Sequence, residues 1–140
     1  MNMLFTILQT INTLIFIGIS AIHFYWAFGG KFGVNAVIPE IEGKTVFQPP
    51  FLATIGVSVA MLIAAWLSWT PNDDTDNNIL IYGNLGISII FLIRAIGDFK
   101  YVGFSKKIKN TLFAQNDTVF YSPLCLLISS IAFFIYWVIR

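Results

Sequence analysis

Charge is scarce in this chain. Charged residues make up 11% of the 140 residues against an apolar share of 57%; a soluble domain averages roughly 25% charged and 45–50% apolar. That balance excludes an ordinary water-solvated domain and points to a chain solvated by lipid. Cysteine is nearly absent: Cys125 stands alone, so an internal disulfide and a C-x-x-C redox pair are both excluded. Its place in an apolar run reads as a small, inert packing group. Histidine occurs once, at His23, which rules out bis-histidine haem ligation. A metal site needs several converging ligands, and one His with one Cys in separate apolar runs does not supply them, so neither metal nor cofactor is expected. Nucleophile-elbow, phosphate-loop and dinucleotide motifs are missing. So is any basic patch beyond lysines next to the apolar runs, which excludes nucleic acid as a partner. No repeat, low-complexity tract or long linker divides the chain, and residues 1–140 read as a single domain.

What is present is long apolar runs. A spanning helix needs about 20 mostly apolar residues, and segments at about 4–28, 50–69, 79–97 and 118–139 meet that length. None alternates apolar and polar residues as barrel strands do. The expected fold is therefore all-α, a transmembrane four-helix bundle. The first run has no Lys or Arg before it, is too long for a signal peptide and is followed by no small-residue cleavage site, so it reads as a permanent helix. Gly29 and Gly30 suit a helix stop, and Pro50 suits the first position of the second helix. Thr70-Pro71-Asn72-Asp73-Asp74 reads as a tight, solvated turn. At Ser122-Pro123 two readings stand side by side. Either the pair opens a short fourth helix, or the helix starts at Asp117 and Pro123 bends it.

The basic residues set a topology. Lys31, Lys44, Lys100, Lys106, Lys107 and Lys109 all fall in the first and third loops, while the other side carries Arg140 with Asp73, Asp74 and Asp76. The positive-inside rule puts those two loops in the cytoplasm and both termini outside. In the third loop Tyr101, Phe104, Ile108 and Leu112 interleave with Lys106, Lys107 and Lys109. At helical spacing this gives an amphipathic helix in the headgroup region; the plainer reading is a solvated loop with positive-inside lysines.

Each run carries one weakly polar face at about 100° per residue. Gln9, Asn12, Thr13, Ser20 and His23 share the first, and Thr54, Ser58, Ala65 and Ser68 the second. Asn84, Ser88, Ala95 and Asp98 share the third, and Thr118, Ser122, Cys125 and Ser129 the fourth. Polar groups in hydrocarbon are costly unless paired, so these faces should meet inside the bundle. Gly56, Ala60 and Ala64 form a separate stripe suited to close approach of another helix.

The strongly polar residues gather at one level. His23 and Trp26 lie near the cytoplasmic end of the first span, Arg94 and Asp98 near that end of the third, and Asp117, Tyr121 and Ser122 at the start of the fourth. An ionisable residue inside a span is a functional-site hypothesis by default, and these seven are the candidate ligand contacts. Each also has a plainer role. Arg94 can snorkel or pair with Asp98 at i,i+4, Asp117 can cap a helix, and Tyr25, Trp26 and Tyr101 suit an interfacial belt. The first loop, about 20 residues between the first two spans, is long enough to be functional and apolar enough to fold back over the cluster as a lid.

The stretches His23-x-x-Trp26-Ala27-x-Gly29-Gly30, Val37-Ile38-Pro39, Arg94-Ala95-x-Gly97-Asp98-Phe99 and Asp117-Thr118-x-x-Tyr121-Ser122-Pro123-Leu124 resemble a family of small bacterial four-span membrane proteins. That family is catalogued only as a domain of unknown function. The resemblance covers nearly the whole chain. It implies four spans and a bacterial source, hence the inner membrane, and carries no activity, cofactor or catalytic residue.

Three functional classes fit. One is a lipid-facing binding protein or enzyme that holds a small amphiphilic or anionic molecule. Arg94 would be its anion contact, His23 its proton carrier, and Asp98 or Asp117 would orient the histidine. The small membrane enzymes of glutathione and eicosanoid metabolism have this size and span count, but their motifs are not evident. A second is an oligomeric transporter or channel subunit, although small multidrug exporters rely on a carboxylate in the first span, where this chain has none. The third is a structural or accessory subunit. Membrane lipid is a partner in every case, and a homo-oligomer is an expectation of the second. The first reading organises the most residues.

Overall fold

Helices form where the chain offers a spanning length with almost no side chain that demands water. The computed structural model describes residues 3–45, 47–70 and 77–140. Helix α1 is Met3–Ala27, and a short α2, Val34–Val37, lies in the first loop. The two-residue strands β1, Glu40–Ile41, and β2, Lys44–Thr45, pair antiparallel in the same loop. Helix α3 is Phe51–Ser68 and α4 is Asn78–Ile96. The last helix joins α5, Leu112–Asn116, through a π-helical turn, Asp117–Tyr121, to α6, Ser122–Ile139. Among the described residues four helices are long and apolar enough to cross a membrane, and the chain is a multi-pass, all-α membrane protein.

The ends follow local chemistry. Beyond α1, Gly29 takes φ 90°. The Gly30 N–H reaches the Tyr25 carbonyl at 2.9 Å and the Gly29 N–H the Trp26 carbonyl at 3.1 Å, the paired bonds of a glycine-terminated helix. Pro50 stands one residue ahead of α3, at its N-cap, rather than at the first helical position. Asn77 caps α4, its Oδ1 accepting from the Ile79 N–H at 2.9 Å. The turn expected at Thr70–Asp74 falls, from Pro71 onward, outside the described residues, as do Asp73, Asp74 and Asp76.

The fourth span starts earlier than expected. The Thr111 hydroxyl accepts from the Ala114 N–H at 3.1 Å and opens the helix at Leu112. Ser122-Pro123 therefore does not open it. The Ser122 N–H reaches back to the Asp117 carbonyl, and this wide turn brings in Pro123 where no amide is needed. The buried stripe records the extra residue. Its members are Phe113, Ala114 and Asp117, then Ser122, Cys125, Ile128, Ser129 and Ala132. The step from Asp117 to Ser122 is longer than a helical turn, and Thr118, expected on the stripe, is exposed.

Of the two readings of the third loop, the amphipathic helix does not form. Gly97 and Gly103 take φ 95° and 84°, and Phe99 takes φ 63°, a region hostile to helix. The loop instead turns back on α4. Phe104 and Ser105 donate their amides to the Ala95 and Ile96 carbonyls at 2.9 and 3.1 Å, supplying partners that a helix end lacks. Lys107 and Lys109 stay exposed, but Lys106 turns inward.

Helix α1 packs along α3 and α4 along α6, with lighter contact between the two pairs. The polar faces meet across these seams. Ser20 and Ser58 each donate to the other's carbonyl, at 2.8 and 2.9 Å. Ser129 donates to the Ser88 carbonyl at 2.7 Å, and Asn84 to the Leu67 carbonyl at 2.8 Å. Such bonds act as glue where lipid offers no alternative partner. Phe16, Ile87, Ile128 and Ala132 fill the centre, while Leu14, Ile17, Ile63 and Phe133 face outward.

Candidate functional site

The site grows out of the wide turn. Asp117 is fully buried where α5 passes into α6, and its carboxylate gathers donors from three parts of the chain. Arg94, in the last turn of α4, brings Nη2 to Oδ1 at 3.0 Å. Lys106, from the third loop, brings Nζ to Oδ2 at 3.0 Å. The Gly103 N–H and the Ser122 hydroxyl donate to the same oxygen at 2.7 and 3.1 Å. Every partner donates, so the group that receives them is an ionised carboxylate. Lys106 Nζ in turn meets Asp117 Oδ2, the Gly103 carbonyl at 3.0 Å and Thr118 Oγ1 at 2.6 Å. An ammonium has three donors for those acceptors. The Lys106 side chain is 1% exposed. A buried charge left without such partners is strongly unfavourable.

Two cations thus surround one anion. The surplus falls on Arg94, whose side chain remains 34% exposed and whose Nη1 has no acceptor among the described residues. Beside it opens a cleft of about 740 Å³ between the two helix pairs, within the usual range for a small-molecule site. Its walls are mostly apolar: Ile19, Val57, Met61, Ile90, Phe91 and Ile128. The polar side chains on its lining are Arg94, His23, Trp26, Tyr121 and the Cys125 thiol. A second cleft of about 840 Å³ under the first loop shares His23, Trp26, Val37 and Val57 with it.

The first loop folds over this end. Helix α2 packs on α5, the Tyr121 hydroxyl donates to the Ala36 carbonyl at 3.1 Å, and Trp26 Nε1 donates to the Phe32 carbonyl at 2.8 Å. His23 Nδ1 lies 2.7 Å from the Ile19 carbonyl. A carbonyl only accepts, so Nδ1 carries a proton and donates it there. The ring stacks edge-on to Trp26 with centroids 5.2 Å apart.

The structure therefore brings Arg94, Asp117 and Ser122 into one ion-paired group, and sets His23, Trp26 and Tyr121 along the adjoining cleft. Asp98 is elsewhere. It does not pair with Arg94; its Oδ1 accepts the N–H groups of Lys100, Tyr101 and Val102 at 2.9, 2.7 and 2.9 Å. Burial, the largest single influence, pushes the Asp98 pKa up, but the three amide donors together outweigh it and hold the carboxyl below its usual value. A depressed carboxyl contributes to folding above its unfolded pKa, about 3.9, and that contribution is lost as pH falls through the lower folded value. Hydrogen exchange at Lys100, Tyr101 and Val102 is thus expected to quicken, relative to its intrinsic rate, only on acidification below about pH 4. Asp98→Asn keeps the acceptor and should remove that dependence.

Lys106 and Gly103 are the members that sequence reasoning missed. Helical spacing put Lys106 on an exposed basic face, and only the glycines at 97 and 103 argue against a helix there. Cys125, read as inert packing, is buried but forms part of the cleft wall. Among the described residues no group of three His, Cys, Asp or Glu converges to hold a metal.

The profile of a family described as "Protein of unknown function (DUF3995)" matches residues 16–133, and the chain belongs to that family. No curated protein and no solved structure matches it.

Proposed function

Starting from a family without an assigned activity, we propose that this protein holds a small amphiphilic molecule in the cleft between its helix pairs. The polar end lies at Arg94 and the apolar part runs down between the helices. The observation that carries this reading is the pairing of a largely apolar cleft with a guanidinium at its mouth whose charge is not fully used by the protein. A guanidinium fork suits carboxylate or phosphate oxygens. His23, with Nδ1 engaged by the Ile19 carbonyl, leaves Nε2 for a polar group of the ligand. The first loop, tied down through Tyr121 and Trp26, acts as the cover.

The proposed setting is the bacterial inner membrane with the Arg94 end cytoplasmic and both termini outside. Support comes from the exposed Lys31, Lys44, Lys100, Lys107 and Lys109 in the two loops at that end. Lys106 no longer counts among them, because it neutralises Asp117.

Mass spectrometry of what co-purifies in lipid nanodiscs tests the reading. Wild type is expected to carry a defined small molecule, and Arg94→Ala to lose it about tenfold or more, as for one charge-assisted hydrogen bond. If both preparations carry only bulk lipid, the ligand reading fails. An accessory-subunit reading then takes its place, supported by Gly56 and Ala60, which lie exposed on the outer face of α3.

A further inference from the structure

The geometry points to a ligand whose head carries negative charge, with Lys106 as the residue that sets this preference. The inference rests on the amphiphile reading above and deepens it. A lone Arg94–Asp117 pair would be neutral, and a neutral pair at the mouth of an apolar cleft offers an anion little advantage over an uncharged head. Lys106 changes the count. It is held by the carboxylate, a carbonyl and a hydroxyl, so it is anchored against Asp117 and shut away from the cleft. One anion is then shared by two cations, and the surplus of one positive charge appears on the cation that borders the cleft.

Arg94 has the spare capacity to use it. Only Nη2 is bonded to Asp117, while Nη1 is enclosed and has no acceptor among the described residues. A ligand oxygen reaches Nη1 as the guanidinium swings towards the cleft, with Nη2 still on Asp117. Lys106 never touches the ligand. It is a positioning residue that acts through charge, and what it controls is the choice of headgroup.

Charge counting gives a series that a purely structural role does not reproduce. The group of Arg94, Lys106 and Asp117 sums to plus one. Lys106→Met brings it to zero, Lys106→Met with Asp117→Asn restores plus one, and Asp117→Asn alone gives plus two. Trp26 lines the cleft and serves as the reporter once Trp66, Trp69 and Trp137 are replaced by phenylalanine. The probes are a bromine-labelled alkyl sulfate and the alcohol of the same chain, added to protein in nanodiscs of neutral lipid. Each reading is the mole fraction of probe that half-quenches Trp26.

In the background with its native charges, the sulfate is expected to quench at a mole fraction lower than the alcohol by about tenfold, the effect of one partly screened charge at close range. Lys106→Met should bring that ratio near one, and adding Asp117→Asn should restore it. If Lys106→Met does not fold, Asp117→Asn alone carries the test, and its ratio must exceed that of the parent. Equal quenching by both probes in the parent, or a ratio that ignores the charge count, overturns the headgroup inference and leaves the amphiphile reading standing. Specific quenching by neither probe removes the amphiphile reading itself. Displacement of the alkyl sulfate by inorganic sulfate at equal concentration would make the site one for free anions, and overturn the part assigned to the chain.

Discussion

Asp117→Ala is expected to cost about 3–5 kcal/mol of folding stability, the usual penalty for breaking a buried ion pair from one side. The reason is what stays behind. Lys106 remains enclosed, and its ammonium keeps only the Gly103 carbonyl and Thr118 hydroxyl as partners. Arg94 loses the acceptor of its Nη2, and the Gly103 N–H loses its own. Three segments of chain are released together. Thermal unfolding in detergent, followed by circular dichroism, checks this. Lys106→Met added to Asp117→Ala should recover a substantial part of the loss, because the stranded cation goes with its counter-ion. An unchanged melting temperature in Asp117→Ala would mean that the carboxylate contributes nothing net, and the site would then be only an incidental meeting of charges.

Gly97→Ala is the second large effect, and it acts on a different scale. At φ 95° any side chain is strained, a mismatch that costs upward of about 1 kcal/mol. The added methyl would also run into the backbone of Val102 and Gly103, where no rotamer change can relieve the contact. The expected result is a bundle that still assembles but whose third loop no longer seats Lys106. Hydrogen exchange should quicken from about Asp98 to Lys109 while the centres of α1 and α3 stay protected. Uniform loss of protection would show instead that the loop and the bundle unfold as one unit.

The contrast between these substitutions also marks what sequence reasoning can reach. The four spans were legible because lipid imposes a length and a hydropathy that neighbouring residues cannot override. The seams were legible too. Ser20, Ser58, Ser88, Ser129 and Asn84 carry polar groups that lipid cannot satisfy, so their faces predicted the packing. Arg94, Asp117 and Ser122 stood out because charge and hydroxyl inside a span need partners. The loop defeated the same reasoning. Lys106 lies in a segment whose shape is set by Gly97, Phe99 and Gly103, and backbone with positive φ destroys the periodicity on which a helical wheel depends. Asp98 shared a face with Arg94 by count alone; once α4 stops at Ile96, that count no longer applies, and Asp98 turns to the amides that follow it.

The fourth helix carries a consequence of its own. Its wide turn works as a phase shift between two rotations of one rod. Upstream, the inward direction is read by Phe113, Ala114 and Asp117; downstream, by Ser122, Cys125 and Ser129. At about 100° per residue a plain α-helix would carry Ser122 about 140° round from Asp117, and the serine and thiol face would point into lipid with the carboxylate inward. The wide turn takes up the one extra residue and brings both back to the same side. What matters in this interval is its wide winding. The side chains of Val119 and Phe120 face outward and can be exchanged for other apolar groups, but the π-helical turn keeps the ion-paired anchor and the cleft wall on the same side of one helix.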